Sequence, residues 1–377
     1  MSKILVSLVS NQTVPNVMFI KEIKEIDKYL FITTEQMEKN HKRDIIIKAC
    51  SDIVQDNAAY IVVKEDSIMD LQSQLGTYVD NETSDDDVFI VNLTGGTKLM
   101  SIGAFDFFRK KESQIFYLTL GKNTYRKIFP DVKHRDFDIT YRFTLDDYLQ
   151  ANGISVNRKG EGLKFDIELT KNLFSMFQNN QIKDHLSALK ELKEKTRKNP
   201  KWYKNHRSKP IGYFEGLGDL LQAVNWDIQE IEKREIQYLR GTWFEEYIYH
   251  YCEKILPADM LGINYELDIG QHVNNELDIL FMHENCLYII EAKTNIRGQN
   301  NVIKMNEIIY KAAALKKEFG LSCKSYLFHL DKDYEQQQGY QKKLERAKIM
   351  GLKVVGLDDL TPDNIQATIK KIMDGTL

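Results

Sequence analysis

Several things are missing from this 377-residue sequence, and each absence narrows what it does. No apolar stretch is long enough to cross a bilayer, so no membrane partner is expected. The opening "MSKILVSLVSNQ" has too short an apolar run for a secretory signal and reads as the start of a strand. The four cysteines, Cys50, Cys252, Cys286 and Cys323, are far apart and form no C-x-x-C pair. That argues against a disulfide framework or a cysteine zinc site and suits a reducing cytoplasm. Net charge is −3, so any contact with nucleic acid has to come from a local basic surface. There is no internal repeat and no low-complexity segment. G-x-x-x-x-G-K-[ST] and G-x-G-x-x-G are both absent, which counts against an ATPase and a dinucleotide enzyme.

What is present divides the chain into three parts. The composition, 42% hydrophobic and 28% charged, is that of a globular protein, and the length calls for more than one core. Residues 1–145 alternate strand and helix patterns. "KILVSLV", "YLFITT", "AYIVVK", "VFIVNL" and "QIFYLTLG" are near-continuous apolar runs, as parallel strands covered on both faces require. Residues 146–235 read as a mostly helical, polar connector. Within it, residues 190–209 are strongly basic, with Trp202 and Tyr203 among the cations, and either guide a nucleic-acid strand or form a solvated helix and loop. Residues 236–377 read as a mixed unit of helix, strands, helix and strand. Its last helix is expected to start with Thr361 as N-cap and Pro362 in first position.

The most informative stretch is "NNELDILFMHENCLYIIEAKTN", residues 274–295. It has the apolar content of a buried hairpin, yet places Asp278 in one strand and Glu291 and Lys293 at the end of the other. Burying carboxylates is costly unless something compensates them. A hairpin loop of two residues (Glu284 and Asn285) or four sets Asp278 opposite Glu291, with Cβ atoms ~5 Å apart. A loop of three sends the two acids to opposite faces. With an even loop, a divalent cation between the acids relieves their repulsion, and oxygen ligands favour Mg²⁺ or Mn²⁺ over zinc. Such a cation activates water and neutralises phosphate, and the Lys293 ammonium steadies the developing charge. The chemistry indicated is phosphodiester hydrolysis. His272, just before the hairpin, is read as a surface or hydrogen-bonded residue.

Asp278, then Glu291-Ala292-Lys293 after twelve residues, resembles the D…(D/E)-x-K signature of the PD-(D/E)XK nuclease superfamily, with Leu277 in place of the leading proline. That core usually opens with a helix carrying another acid, and "REIQYLRGTWFEEYIYHYCEKIL" is such a helix. Glu245 borders its apolar stripe and Glu246 points nearly opposite, so Glu245 is the expected third acid. The resemblance implies a catalytic set of Glu245, Asp278, Glu291 and Lys293, and a metal held at Asp278, Glu291, Ala292 and Glu245.

In the first part, "SNQTVPN" (residues 10–16) and "NLTGGTKLMS" (residues 92–101) each join a strand to a helix. Ligands of open parallel sheets sit at such strand ends, and helix N-termini there favour phosphate. Gly95 and Gly96 permit close backbone approach, Lys98 supplies charge, and Ser10, Asn11, Thr13, Thr94 and Thr97 supply short polar contacts. Together with the hairpin, these loops resemble a Rossmann-like CARF domain fused to a restriction-endonuclease-like domain, as in the ancillary nucleases of type III CRISPR systems. The resemblance implies a homodimer that binds a cyclic oligoadenylate, most often cyclic tetra-adenylate. Ser10, Asn11, Gln12, Thr13, Thr94, Gly95, Gly96, Thr97 and Lys98 would line the pocket. It also implies activator-gated, metal-dependent cleavage of DNA and/or RNA, single strands favoured, in antiviral defence. Two other readings compete: a sensor whose nuclease-like domain is inactive, and a domain that degrades its own activator.

Overall fold

A computed structural model describes all residues except 120, 199–202, 204, 206, 270–273, 296–303, 321 and 337. Trp202 and His272 therefore lie outside the described residues. The N-terminal sheet has the order β3-β2-β1-β4-β5-β6-β7. Its strands are β1 (Lys3–Leu8), β2 (Lys28–Thr33), β3 (Ala58–Val62), β4 (Val88–Asn92), β5 (Ser113–Leu118), β6 (Thr124–Phe129) and β7 (Asp136–Asp138). The five expected strands are parallel; β6 and β7 extend the sheet in antiparallel fashion. Apolar side chains are buried on both faces, Leu5 and Phe31 on one and Ile4 and Leu30 on the other. Three helices matter below: α1 (Val14–Glu22), α2 (Ile68–Glu82) and α3 (Lys98–Phe108).

The second sheet has the order β15-β14-β13-β12-β11-β8. Its centre is β11 (Leu261–Asp268), β12 (Asn274–His283) and β13 (Cys286–Lys293), followed by β14 (Cys323–His329) and β15 (Leu352–Val355). The edge strand β8 (Ser155–Arg158) comes from the stretch that reads in sequence as helical connector. The rest of that stretch is helical: α4 (Ile167–Gln178), α5 (Leu186–Lys198) and α6 (Leu217–Ala223). A two-residue pair, β9 (Lys209–Pro210) with β10 (Glu230–Ile231), closes it. These helices share one core with α7 (Trp243–Glu253); Phe174 stacks on Tyr247 with centroids 4.4 Å apart. Helices α8 (Lys304–Glu318), α9 (Tyr340–Ile349) and α10 (Ile365–Asp374) complete the unit. The last helix begins later than its sequence suggests. Asn364 is its N-cap, and the Thr361 carbonyl accepts from the Asn364 and Ile365 amides, because Thr361 and Pro362 first make a turn.

The hairpin β12–β13 is sandwiched. Ile279, Phe281, Tyr288 and Ile290 pack with α7, while Leu280, Met282, Leu287 and Ile289 join the core that contains Phe19, Phe143 and Tyr148 of the N-terminal half. This explains its near-continuous apolar sequence: both faces are covered.

Candidate active site and its control loops

The hairpin loop is even. His283 pairs with Cys286 and Ile279 with Ile290, and one step further sets Asp278 against Glu291. Glu284 and Asn285 have φ of 48° and 58°, the left-handed pair a two-residue type I′ turn needs. The two carboxylates converge on one cation. Lys293 Nζ lies 2.9 Å from Asp278 Oδ2, 2.8 Å from Glu291 Oε1 and 2.9 Å from the Ala292 carbonyl. The Ala292 amide donates to Asp278 Oδ2 at 2.8 Å, so one buried carboxylate oxygen is held by both an ammonium and a backbone N–H.

Burial raises the Asp278 pKa and the Glu291 charge adds to it, opposed by Lys293 and the Ala292 amide. For Lys293 burial pulls the pKa down, but the two carboxylates outweigh it, and the ammonium holds its proton above the ordinary lysine range. Glu245 stands beside this group on α7. Burial pushes its carboxyl up to about 8, the Asp278 charge adds to the rise, and Lys293 and a hydrogen bond from Asn264 oppose it. Glu246 is only 2% exposed; its carboxylate accepts from the Lys164 and Phe165 amides and is spent on structure. The helix therefore offers Glu245 to the site, while Glu246, which the helix phase sets away from the apolar stripe, is buried against residues 164 and 165 instead.

This set of oxygens suits a hard divalent cation: two carboxylates and a carbonyl already gather around a positive charge, with a third carboxyl adjacent. Among the described residues no three Asp, Glu, His or Cys side chains form a ready-made metal cluster, and the Lys293 ammonium lies between Asp278 and Glu291. Sequence reasoning missed one residue here. Lys311, from α8, reaches Glu291 Oε2 at 3.5 Å and the Glu276 carbonyl at 3.3 Å. Its only signal was a lysine on a helix following the hairpin.

The two N-terminal loops meet where β1 and β4 lie side by side, with Ser7 opposite Asn92. Asn92 Nδ2 donates to Asn16 Oδ1 at 3.1 Å, and Asn16 Nδ2 to the Leu8 carbonyl at 2.9 Å, tying the loops together. A Cβ on Gly95 would fall 2.0 Å from the Leu8 carbonyl oxygen and near Ser10 Oγ, and Gly96 has φ of 73°. Only glycine allows this crossing. Thr97 caps α3, accepting from the Met100 amide and donating to the Glu65 carbonyl. Lys98 and Asn11 are exposed beside the crossing. Two expected contact residues are otherwise engaged. Thr13 is buried and its hydroxyl donates to the Ala151 carbonyl. Thr94 Oγ1 donates to Asn92 Oδ1 and accepts from the Leu118 amide. Both fix the loops and offer no free polar group. Gln12 turns toward the second half of the chain, where it lines a cavity of about 360 Å³ with His283, Asn285 and Tyr288.

Residues 4–148 match the family described as the Card1 CARF domain, and residues 232–373 match the Card1-like endonuclease domain. The chain is a CARF-domain endonuclease of the Card1 type. In fold, it is similar to Can2 from Sulfobacillus thermosulfidooxidans, solved with cyclic tetra-adenylate (21% identity, TM-score 0.74, 98% of this chain and 99% of that one). It is also similar to protein VC1899 from Vibrio cholerae (17% identity, TM-score 0.75, 99% and 98%). A type III CRISPR defence DNA nuclease activated by cyclic oligoadenylate aligns less closely (14% identity, TM-score 0.52, 87% and 45%). No curated protein matches the sequence.

In this CARF endonuclease the two domains meet at the hairpin turn. Asn285 Oδ1 accepts from the Phe143 amide at 2.9 Å, and its Nδ2 donates to Asn123 Oδ1 at 3.0 Å and to the Tyr141 carbonyl at 2.9 Å. Asn123 Nδ2 donates in turn to the Glu284 carbonyl and carboxylate, and Arg142 pairs with Glu284 at 2.8 Å. Thus the end of the hairpin opposite the acids is clamped by the CARF domain.

At the far side of the site, His329 of β14 stands beside Lys293 in parallel register. It is fully buried, hydrogen-bonded to Tyr340 and to the Asp331 amide. Burial pushes its pKa down to about 4 from 6.5. The unfolded chain binds the extra proton between these values, so this contribution to stability is complete above pH 6.5 and is lost as pH falls toward 4. Lowering the pH from 7 to 5 should cost at most about 2 kcal/mol through this residue, because the Glu335 carboxylate 3.7 Å from its Nε2 favours the protonated ring. In urea unfolding, His329→Gln should lose correspondingly less stability over that range than the wild type; equal losses would contradict the assignment.

Proposed function

We propose that this protein is a metal-dependent endonuclease switched on by a cyclic oligoadenylate, with cyclic tetra-adenylate the first candidate. It would cut DNA and/or RNA, single strands favoured, in type III CRISPR defence. Residues 1–145 form the sensor, 146–235 the connector and 236–377 the nuclease. The observation that carries this reading is the Asp278–Lys293–Glu291 group at the end of a buried hairpin, with Glu245 beside it. Mg²⁺ or Mn²⁺ held by Asp278, Glu291, the Ala292 carbonyl and Glu245 would activate water and neutralise phosphate. Lys293, released from these oxygens, would stabilise the transition-state charge. Calorimetric titration with Mn²⁺ tests the site. The wild type should bind, and Asp278→Asn, with its circular dichroism unchanged, should bind at least ~10-fold more weakly. Equal binding would refute the ligand assignment.

Ser10, Asn11 and the Gly95–Lys98 crossing would contact the activator, with Thr13 and Thr94 holding the loops in place and Gln12 turned toward the nuclease half instead. The fold shared with the Can2 complex and the match of residues 4–148 to the Card1 CARF domain support cyclic tetra-adenylate as ligand. A ring of phosphates suits a two-fold axis that presents each loop twice. Beside the crossing, α2 and α3 leave apolar side chains in water: Met69 is 83% exposed, Ile102 57% and Leu99 40%. We assign this face to the homodimer contact. Ile102→Asp should yield a monomer by light scattering and lose the response to activator; a dimeric variant would place the interface elsewhere. The four free thiols and the absence, among the described residues, of a helix able to span a membrane agree with a cytoplasmic location.

A further inference from the structure

Two lysines share Glu291, and their situations differ. Lys293 uses all three of its N–H donors, on Asp278 Oδ2, Glu291 Oε1 and the Ala292 carbonyl, at 2.8–2.9 Å. Lys311 makes two looser contacts among the described residues, 3.5 Å to Glu291 Oε2 and 3.3 Å to the Glu276 carbonyl. It keeps a donor to spare, and its side chain is 41% exposed. Its stem lines an apolar cleft between the hairpin and α8, with Leu277, Ile289 and Ala312, and its ammonium comes out beside Glu291 and the Glu276 carbonyl. A 3.5 Å pair with its lysine 41% exposed contributes little to folding. Such a lysine is poorly explained as a structural partner.

We infer that Lys311 binds the nucleic-acid backbone, gripping a phosphate at the entrance to the catalytic group. This rests on the nuclease reading above and adds a residue to it. The loose contacts to Glu291 and the Glu276 carbonyl leave the ammonium able to take a phosphate with or without a metal in the site. Lys293 then serves the reacting group and Lys311 positions the strand.

Metal-free binding of fluorescent single-stranded DNA and RNA to the full chain, measured over a range of salt, tests this. The wild type should lose affinity steeply with salt. Lys311→Gln should bind up to ~10-fold more weakly, with a log–log salt slope shallower by about 0.7, one phosphate contact fewer. Lys311→Arg should restore the slope. An unchanged melting temperature verifies the fold of both variants. Wild-type binding with an identical slope in Lys311→Gln would overturn the role of Lys311 alone. No salt-dependent binding of either nucleic acid by the wild type would overturn this role together with the substrate reading.

Discussion

Glu291→Ala should cut nucleic-acid cleavage at least ~10³-fold while leaving the protein folded, equivalent to about 4 kcal/mol of transition-state stabilisation. The rate loss follows from position: Glu291 is one of two carboxylates that converge on a single cation, and both lysines of the site touch it. The fold should survive because Lys293 keeps Asp278 and the Ala292 carbonyl as partners. Lys293→Ala makes the contrast. It leaves Asp278, 8% exposed, without its counter-charge, and breaking a buried pair costs roughly 3–5 kcal/mol. A lower melting temperature in Lys293→Ala than in Glu291→Ala is therefore expected. Cleavage by Glu291→Ala at the wild-type rate would remove the hairpin acids from the chemistry.

Asn285→Gly should separate sensing from cutting. The Thr94 hydroxyl holds the Leu118 amide at the end of β5; β6 starts at Thr124, and Asn123, just before it, holds Glu284 and Asn285. Asn285 also meets Met18 of α1, the helix that starts within residues 10–16. Elements next to both loops therefore grip one hairpin turn, and that hairpin carries Asp278 and Glu291 at its other end. Glycine keeps the positive φ of the turn and removes only the side-chain bonds. Activator affinity should stay within ~2-fold, while activator-stimulated cleavage falls ~10-fold or more. Asn123→Ala should behave alike. The lost hydrogen bonds contribute on the order of 1 kcal/mol each, so the melting temperature will drop. A purely structural role would lower stability but leave the ratio of stimulated to basal rates unchanged, and that result would refute the coupling.

How legible this was in the sequence varied with the range of the interaction. The parity of the hairpin could be posed from its spacing, which depends on neighbours in the chain; the phase of α7 put Glu245 forward but did not foresee that Glu246 is buried against residues 164 and 165. The glycine pair marked the crossing because a backbone constraint leaves its trace in residue type. What long-range packing decides was not readable. Strand β8 hides in a polar stretch and is stabilised by pairing with β11. Thr13 looked free until Ala151, far along the chain, took its hydroxyl. Asn285 looked like an ordinary turn residue, and its role emerges only where Phe143, Tyr141 and Asn123 surround it. Lys311 lies eighteen residues past Lys293, across a segment without pattern.

The most direct measurement is cleavage of labelled single-stranded DNA and RNA by the purified chain, with Mn²⁺ or Mg²⁺ and with or without cyclic tetra-adenylate. Products should form when both metal and activator are present, and chelator should stop the reaction. Intact DNA and RNA under all these conditions, from a folded protein that binds the cyclic nucleotide, would contradict the account.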